Sequence, residues 1–194
     1  MQKLEKECNT SIKDYIYRLI QSYIDRLDYS RDLNFIKNNK IGTKVSFGRY
    51  NNIINCKIGD NVIINNYCNL YGCEIGDGTK IGSFVEIQKN VKIDKKCVIQ
   101  SHSFLCEGVE LGLEVFISHG VMTTNDKFPK VFNENFKLEK INVGDSSSIG
   151  SNCTLRGPLL IGCNSLLGAH SLCLENIPPN EIWGGVTAKF IRTK

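Results

Sequence analysis

The sequence predicts a mainly β protein: a parallel β-helix, preceded by an amphipathic helix and closed by a short tail. The first observation is that an apolar residue returns every six positions, at Ile75, Ile81, Ile87, Ile93, Ile99, Leu105, Leu111 and Ile117. Four residues behind each stands a small or β-branched one, namely Thr79, Val85, Val91, Cys97, Ser103, Val109, Val115 and Val121. The third is that the register resumes at Val143, Ile149, Leu155, Ile161, Leu167 and Cys173, with Ser147, Cys153, Leu159, Ser165, Ser171 and Ile177 behind them. A period of six is no helix period and is three times the strand period of two. It describes short strands joined by turns of constant length, each sending one large and one small side chain inward.

Length and composition set the outer limits. The 194 residues make one domain, or one domain with an appendage. The net charge of +4 is scattered, which argues against nucleic acid as the partner. No apolar stretch reaches the eighteen or so residues of a membrane span, and the polar start Met1–Lys6 is no signal peptide. The expectation is a soluble, cytoplasmic chain. Of the nine cysteines, Cys68, Cys97 and Cys153 take the small inward slot and Cys173 the large one, where a free thiol acts as a small hydrophobe. There is no Cys-x-x-Cys pair, and the three histidines are not spaced as ligands, so no metal site is expected.

The first element lies outside the six-residue rhythm. Ile12, Tyr15, Ile16, Leu19, Ile20, Tyr23, Ile24 and Leu27 follow the spacing of one helix face, with Ser11 and Asp14 resembling a capping box. This predicts a helix over residues 12–27, a shorter one over 31–37, and a helical segment spanning 1–38. Its apolar stripe needs cover, from the open first coil or from other subunits. The β-helix domain then spans 39–194. Its first coils are expected to be distorted, because Ile53 to Ile58 and Leu70 to Ile75 are each one residue short, with Asn51, Asn52, Asn65, Asn66 and Gly72 at the corners.

From Ile75 onward three hexads make a triangular coil, and residues eighteen apart stack in adjacent rungs about 4.8 Å apart. Asn125 should therefore stand over Glu107, with Asp126 next to it at the root of the interruption, residues 123–142. A carboxylate, an amide and a second carboxylate there can hold a polar ligand. His119 stacks over Ser101, beside His102, at a different corner. One prism cannot join the two corners, since a side of the triangle is roughly 15–20 Å; adjacent prisms of a trimer can. Asn and Asp also favour corners as turn formers, and a corner His can serve only its backbone. The interruption carries Phe128, Phe132 and Phe136 with Lys127, Lys130 and Lys137, suited to stacking a base beside phosphates or to pinning the loop on a neighbouring subunit. After Cys173 the prolines Pro178 and Pro179 end the ladder, and the tail is expected to run back along the prism.

With these residues in hand, the chain resembles the hexapeptide-repeat acyltransferases, whose left-handed parallel β-helices assemble as trimers. The tail, with Pro178-Pro179, Trp183-Gly184-Gly185 and Ala188-Lys189, is similar to the closing motif of that family, although Thr187 stands where a proline is usual. The segment Asn125-Asp126-Lys127-Phe128-Pro129 following Glu107-Gly108-Val109 resembles the N-acetyltransferases of nucleotide-linked amino sugars on dTDP or UDP. The resemblance implies acetyl-CoA as acetyl donor, no metal, a homotrimer, and a groove between β-helices. It assigns Glu107, Asn125 and Asp126 to the sugar and Lys189 to the cofactor; His119 and Lys127 are further candidates for the sugar nucleotide, and Gly168, Ala169 and Arg192 for the cofactor.

Relatives often carry a pair of Asn residues at Ser101-His102. His102 is accordingly the candidate base for acetyl transfer to an amine, assisted by Asn125 and Asp126, unless the leaving thiolate takes the proton. Two further readings remain open: an O-acetyltransferase on a sugar or other small acceptor, and a non-catalytic β-helix binding module.

Overall fold

The computed structural model describes Tyr15, Ile16, Leu19 and residues 33–194. The chain divides into two compact units, Met1–Leu33 and Asn34–Lys194. In the first, Tyr15, Ile16 and Leu19 are helical, and all three side chains are exposed. The rest of the helix expected over 12–27, with its capping box, lies outside the described residues. The short helix expected over 31–37 is replaced at its end by a strand, Phe35–Lys37, whose partner is Asn52–Ile54. Ladder pairing with the next coil overrides the local helical spacing there.

The second unit is the parallel β-helix. Its strands stack into three sheets, one on each face. The first face runs from Phe35–Lys37 through Asn52–Ile54, Asn69–Tyr71, Glu86–Ile87, Phe104–Leu105, Met122–Thr124 and Thr154–Arg156 to Leu172–Cys173. The second begins at Lys40–Ile41 and ends at Leu159–Ile161; the third begins at Ser46–Phe47 and ends in the tail. Both inward slots are filled as the period requires. Ile81, Ile87, Ile99, Leu105, Ile117, Ile149, Leu155 and Ile161 are buried large side chains, and Thr79, Cys97, Ser103, Ser147 and Ser165 are buried small ones. The polar members are satisfied: Ser103 Oγ donates to the Ser118 carbonyl at 2.9 Å, and Ser147 Oγ to that of Gly162 at 2.7 Å.

The first coils are regular, contrary to the expected distortion. Asn52 pairs with Asn69 and Asn69 with Glu86, steps of seventeen, whereas Glu86 pairs with Phe104, a step of eighteen. The missing residue is absorbed at one corner without disturbing either ladder. Gly72 adopts left-handed backbone at a corner as expected, but the other such corner residues are Tyr50, Asn55 and Tyr67, with φ near +60°, rather than Asn51, Asn52, Asn65 or Asn66. Asn51 sits instead in the small inward slot, fully buried, its Oδ1 accepting the Cys68 N–H at 2.8 Å. Asn34 and Asn39 make the same bond to the N–H groups of Asn51 and Cys56 at 2.8 and 2.7 Å. Asparagine in the slot thus lets a polar side chain satisfy the backbone of the first coils.

The interruption is shorter than the expected 123–142. Met122–Thr124 still pairs with Thr154–Arg156, and Ile141–Val143 already pairs with Val109–Leu111, so the excursion covers 125–140. Thr123 and Ile141 are buried core residues. The tail also departs from expectation. Glu181–Gly184 adds a parallel rung to Leu166–Leu167, and Lys189–Thr193 pairs antiparallel outside it. The tail extends the third sheet outward rather than returning along the prism, and buried Ala188 closes the end of the core.

Candidate functional site

The root of the excursion forms as the stacking rule predicts. Asn125 stands one rung above Glu107, and its Nδ2 donates to the Glu107 carbonyl at 2.9 Å. The return of the loop is fastened to the same place, with the Glu139 N–H donating to the Asn125 carbonyl at 3.0 Å. Gly108, buried with φ +88°, permits this, because Leu138 lies against the space where a side chain would project. Neither Asn125 nor Asp126 has positive φ, so tolerance of left-handed backbone does not explain their presence. The Glu107 carboxylate accepts from Asn90 Nδ2 at 2.8 Å and lies 3.5 Å from Lys89 Nζ. Asp126 accepts the Phe128 N–H at 2.9 Å and shapes the first turn of the loop. Lys127 Nζ lies 5.5 Å from the Phe128 ring centroid, and Phe128, Phe132 and Phe136 are all exposed.

The histidines occupy the corner at the other end of the first face. His102 has φ +64°, is exposed, and is the last ring of a stack formed with Tyr50, Tyr67 and Phe84. Successive centroids are 4.9 Å apart, with planes parallel to within 9°. The next coil places Gly120 over His102, its N–H bonded to the Ser101 carbonyl at 3.0 Å, with exposed His119 just before it. The structure therefore brings His102 and His119 to one corner, and Glu107, Asn125, Asp126 and Lys127 to another. It does not join the two sets within one chain. The aromatic stack escaped the sequence reading because its step changes from seventeen to eighteen between Phe84 and His102.

The residues assigned to the cofactor meet at the tail. The Gly168 N–H donates to the Trp183 carbonyl at 2.7 Å, and Gly184, next to Trp183, pairs with Lys189. Ala169 is exposed beside them. Lys189 Nζ lies 2.7 Å from Glu175 Oε1, an exposed pair that a polyanion can displace, and among the described residues Arg192 donates to the Thr193 carbonyl, at 3.1 Å. These cations fit a phosphate-bearing ligand. Among the described residues no three His, Cys, Asp or Glu side chains are arranged to hold a metal ion, and no helix is long and apolar enough to cross a membrane.

Comparison with known families places these coils. The family model described as bacterial transferase hexapeptide (six repeats) matches residues 55–89 and 72–107. The match falls on residues 55–107, within the first coils of the β-helix. Over 103 residues the chain is 34% identical to the bifunctional protein GlmU of Bartonella quintana and to that of Thermosipho africanus. The match covers 53% of this chain and 21% of each relative, so the chain spans about a fifth of their length. Among solved structures it is similar to variants of AntD, an N-acyltransferase from Bacillus cereus. The complex with dTDP and coenzyme A gives a TM-score of 0.60 at 21% identity, covering 88% of both chains. The complex with dTDP-4-amino-4,6-dideoxyglucose and coenzyme A gives 0.55 at 20% identity over the same shares. At these identities the likeness is one of fold.

Proposed function

We propose that this chain is an acetyl-CoA-dependent N-acetyltransferase acting on a dTDP- or UDP-linked amino sugar. The observation that carries the reading is the root of the excursion, where Asn125 stands over Glu107 with Asp126 beside it. AntD, with the same fold over most of both chains, holds a dTDP-amino sugar and coenzyme A. In this reading Glu107, Asn125, Asp126 and Lys127 hold the sugar nucleotide, and Gly168, Ala169, Lys189 and Arg192 line the donor side. The neutral sugar amine attacks the thioester carbonyl; a C–N bond forms, the C–S bond breaks, and the thiolate leaves. The amine proton passes to His102, with His119 orienting the acceptor. Bringing two bound reactants together supplies much of the rate.

The two corners must then come from different subunits. A homotrimer meets that need, and the exposed stack of Tyr50, Tyr67 and Phe84, flanked by exposed Ile63, Phe116 and Met122, offers an apolar edge for it. The test is incubation of the pure protein with acetyl-CoA and a panel of dTDP- and UDP-amino sugars, following free thiol. Release that depends on an amino sugar is expected. Release only with hydroxyl acceptors would make it an O-acetyltransferase, and no release with any acceptor would leave a binding module.

A further inference from the structure

Arg156 ends the strand Thr154–Arg156 on the first face, in register with Thr124 one coil below. Thr124 is the last residue before the excursion, so Arg156 lies beside the rung that leads into Asn125 and Asp126. The neighbouring Gly157 donates its N–H to the Thr124 carbonyl at 2.8 Å, and the backbone of Glu139 packs so closely on Gly157 that no Cβ fits there. Arg156 is half-buried. Its Nε is sealed from solvent with no hydrogen-bond partner, and among the described residues no carboxylate pairs with its guanidinium. Among the described residues the one other buried side-chain nitrogen or oxygen without a partner is Asn51 Nδ2, which carries no charge. A buried N–H without a partner is costly, and most so on a charged group.

The planar guanidinium matches two oxygens of one phosphate or carboxylate, which a lysine cannot do. We propose that Arg156 is an anion-binding residue that takes the diphosphate of the ligand held at the root of the excursion. The naming of that ligand rests on the acetyl-transfer reading; the open guanidinium does not. A diphosphate can come from the sugar nucleotide or from coenzyme A. The placement favours the nucleotide, because Arg156 adjoins the rung that leads into the Asn125 corner.

The experiment titrates the full chain with inorganic pyrophosphate, thymidine, dTDP and coenzyme A by calorimetry, using the wild type, Arg156→Gln and Arg156→Lys. The wild type should bind dTDP more tightly than thymidine. Arg156→Gln should lose roughly 10- to 100-fold in affinity for dTDP and pyrophosphate while leaving thymidine unchanged. Arg156→Lys should recover part of the loss, which also guards against a misfolded glutamine variant. Equal dTDP affinity in all three proteins, or no pyrophosphate binding by the wild type, overturns the proposal. So does a glutamine variant that binds normally but sediments differently, because the guanidinium would then pair with a second copy. A loss confined to coenzyme A and pyrophosphate likewise overturns the assignment to the ligand at the excursion root and moves the diphosphate to the donor. If pyrophosphate binding depends on Arg156 but no amino sugar is acetylated, the substrate reading fails and the anion site stands.

Discussion

His102 carries two possible duties that one substitution separates. It is exposed and closes a stack of rings, so its side chain has both a titratable nitrogen and a flat face available. If it takes the amine proton, His102→Asn should lower kcat by roughly 10²–10⁴-fold. A rise in KM alone would assign it to binding and leave the proton to the departing thiolate. The cysteines give a second measurement at this scale. Burial pushes the Cys97 and Cys173 thiols up to about 11, so they stay protonated at neutral pH as well as out of reach. The Cys56 sulfur 3.5 Å away, and then burial, hold the Cys73 thiol up. Of the described cysteines only Cys163 is exposed, and among them it alone should react with a thiol reagent in the folded protein. Rapid labelling of Cys97 or Cys173, located by peptide mapping, would mean that the column opens readily.

The elements show where periodicity informs and where it does not. Inward residues were legible because each six-residue step repeats one geometric demand, and Asn125 over Glu107 followed from counting alone. Asn51 was misread because asparagine suits a corner by conformation and the inward slot by hydrogen bonding, and only the ladder decides between them. The short strand Phe35–Lys37 was missed because it takes its identity from a partner seventeen residues away. Arg156 gave no signal, since an arginine among outward residues looks like any solvated charge. The tail was recognised by its motif but misplaced, because its direction depends on which edge of the last coil remains unpaired. Its placement still brings Lys189 next to Gly184, one strand from Gly168. Changing Lys189 and Arg192 together to alanine should raise the KM for acetyl-CoA more than that for the sugar nucleotide. Equal changes in the two constants would place the donor elsewhere.

For the whole molecule, the two corners that one chain keeps apart require assembly if they act together. Sedimentation at micromolar concentration should give a trimer, and a monomer under those conditions would separate the histidines from the sugar-binding root for good. The excursion has a second consequence, for the order in which the chain folds. From the first coil to the excursion a strand meets its partner after seventeen or eighteen residues, but Val109 meets Ile141, Phe116 meets Ser148 and Met122 meets Thr154 after thirty-two. Closing the longer loop costs about 0.5 kcal/mol more in chain entropy, from the logarithmic dependence on length. That is small beside the stability of a domain, yet it falls at a single rung, and a solenoid adds coils by contact with nearest neighbours. The excursion is therefore a seam between two blocks of coils that can each grow from within. Pulsed hydrogen exchange during refolding should find Ile81, Ile99 and their neighbours protected in one phase and Ile149 and Leu167 in another. A single phase across the whole column would mean that the seam closes faster than either block forms.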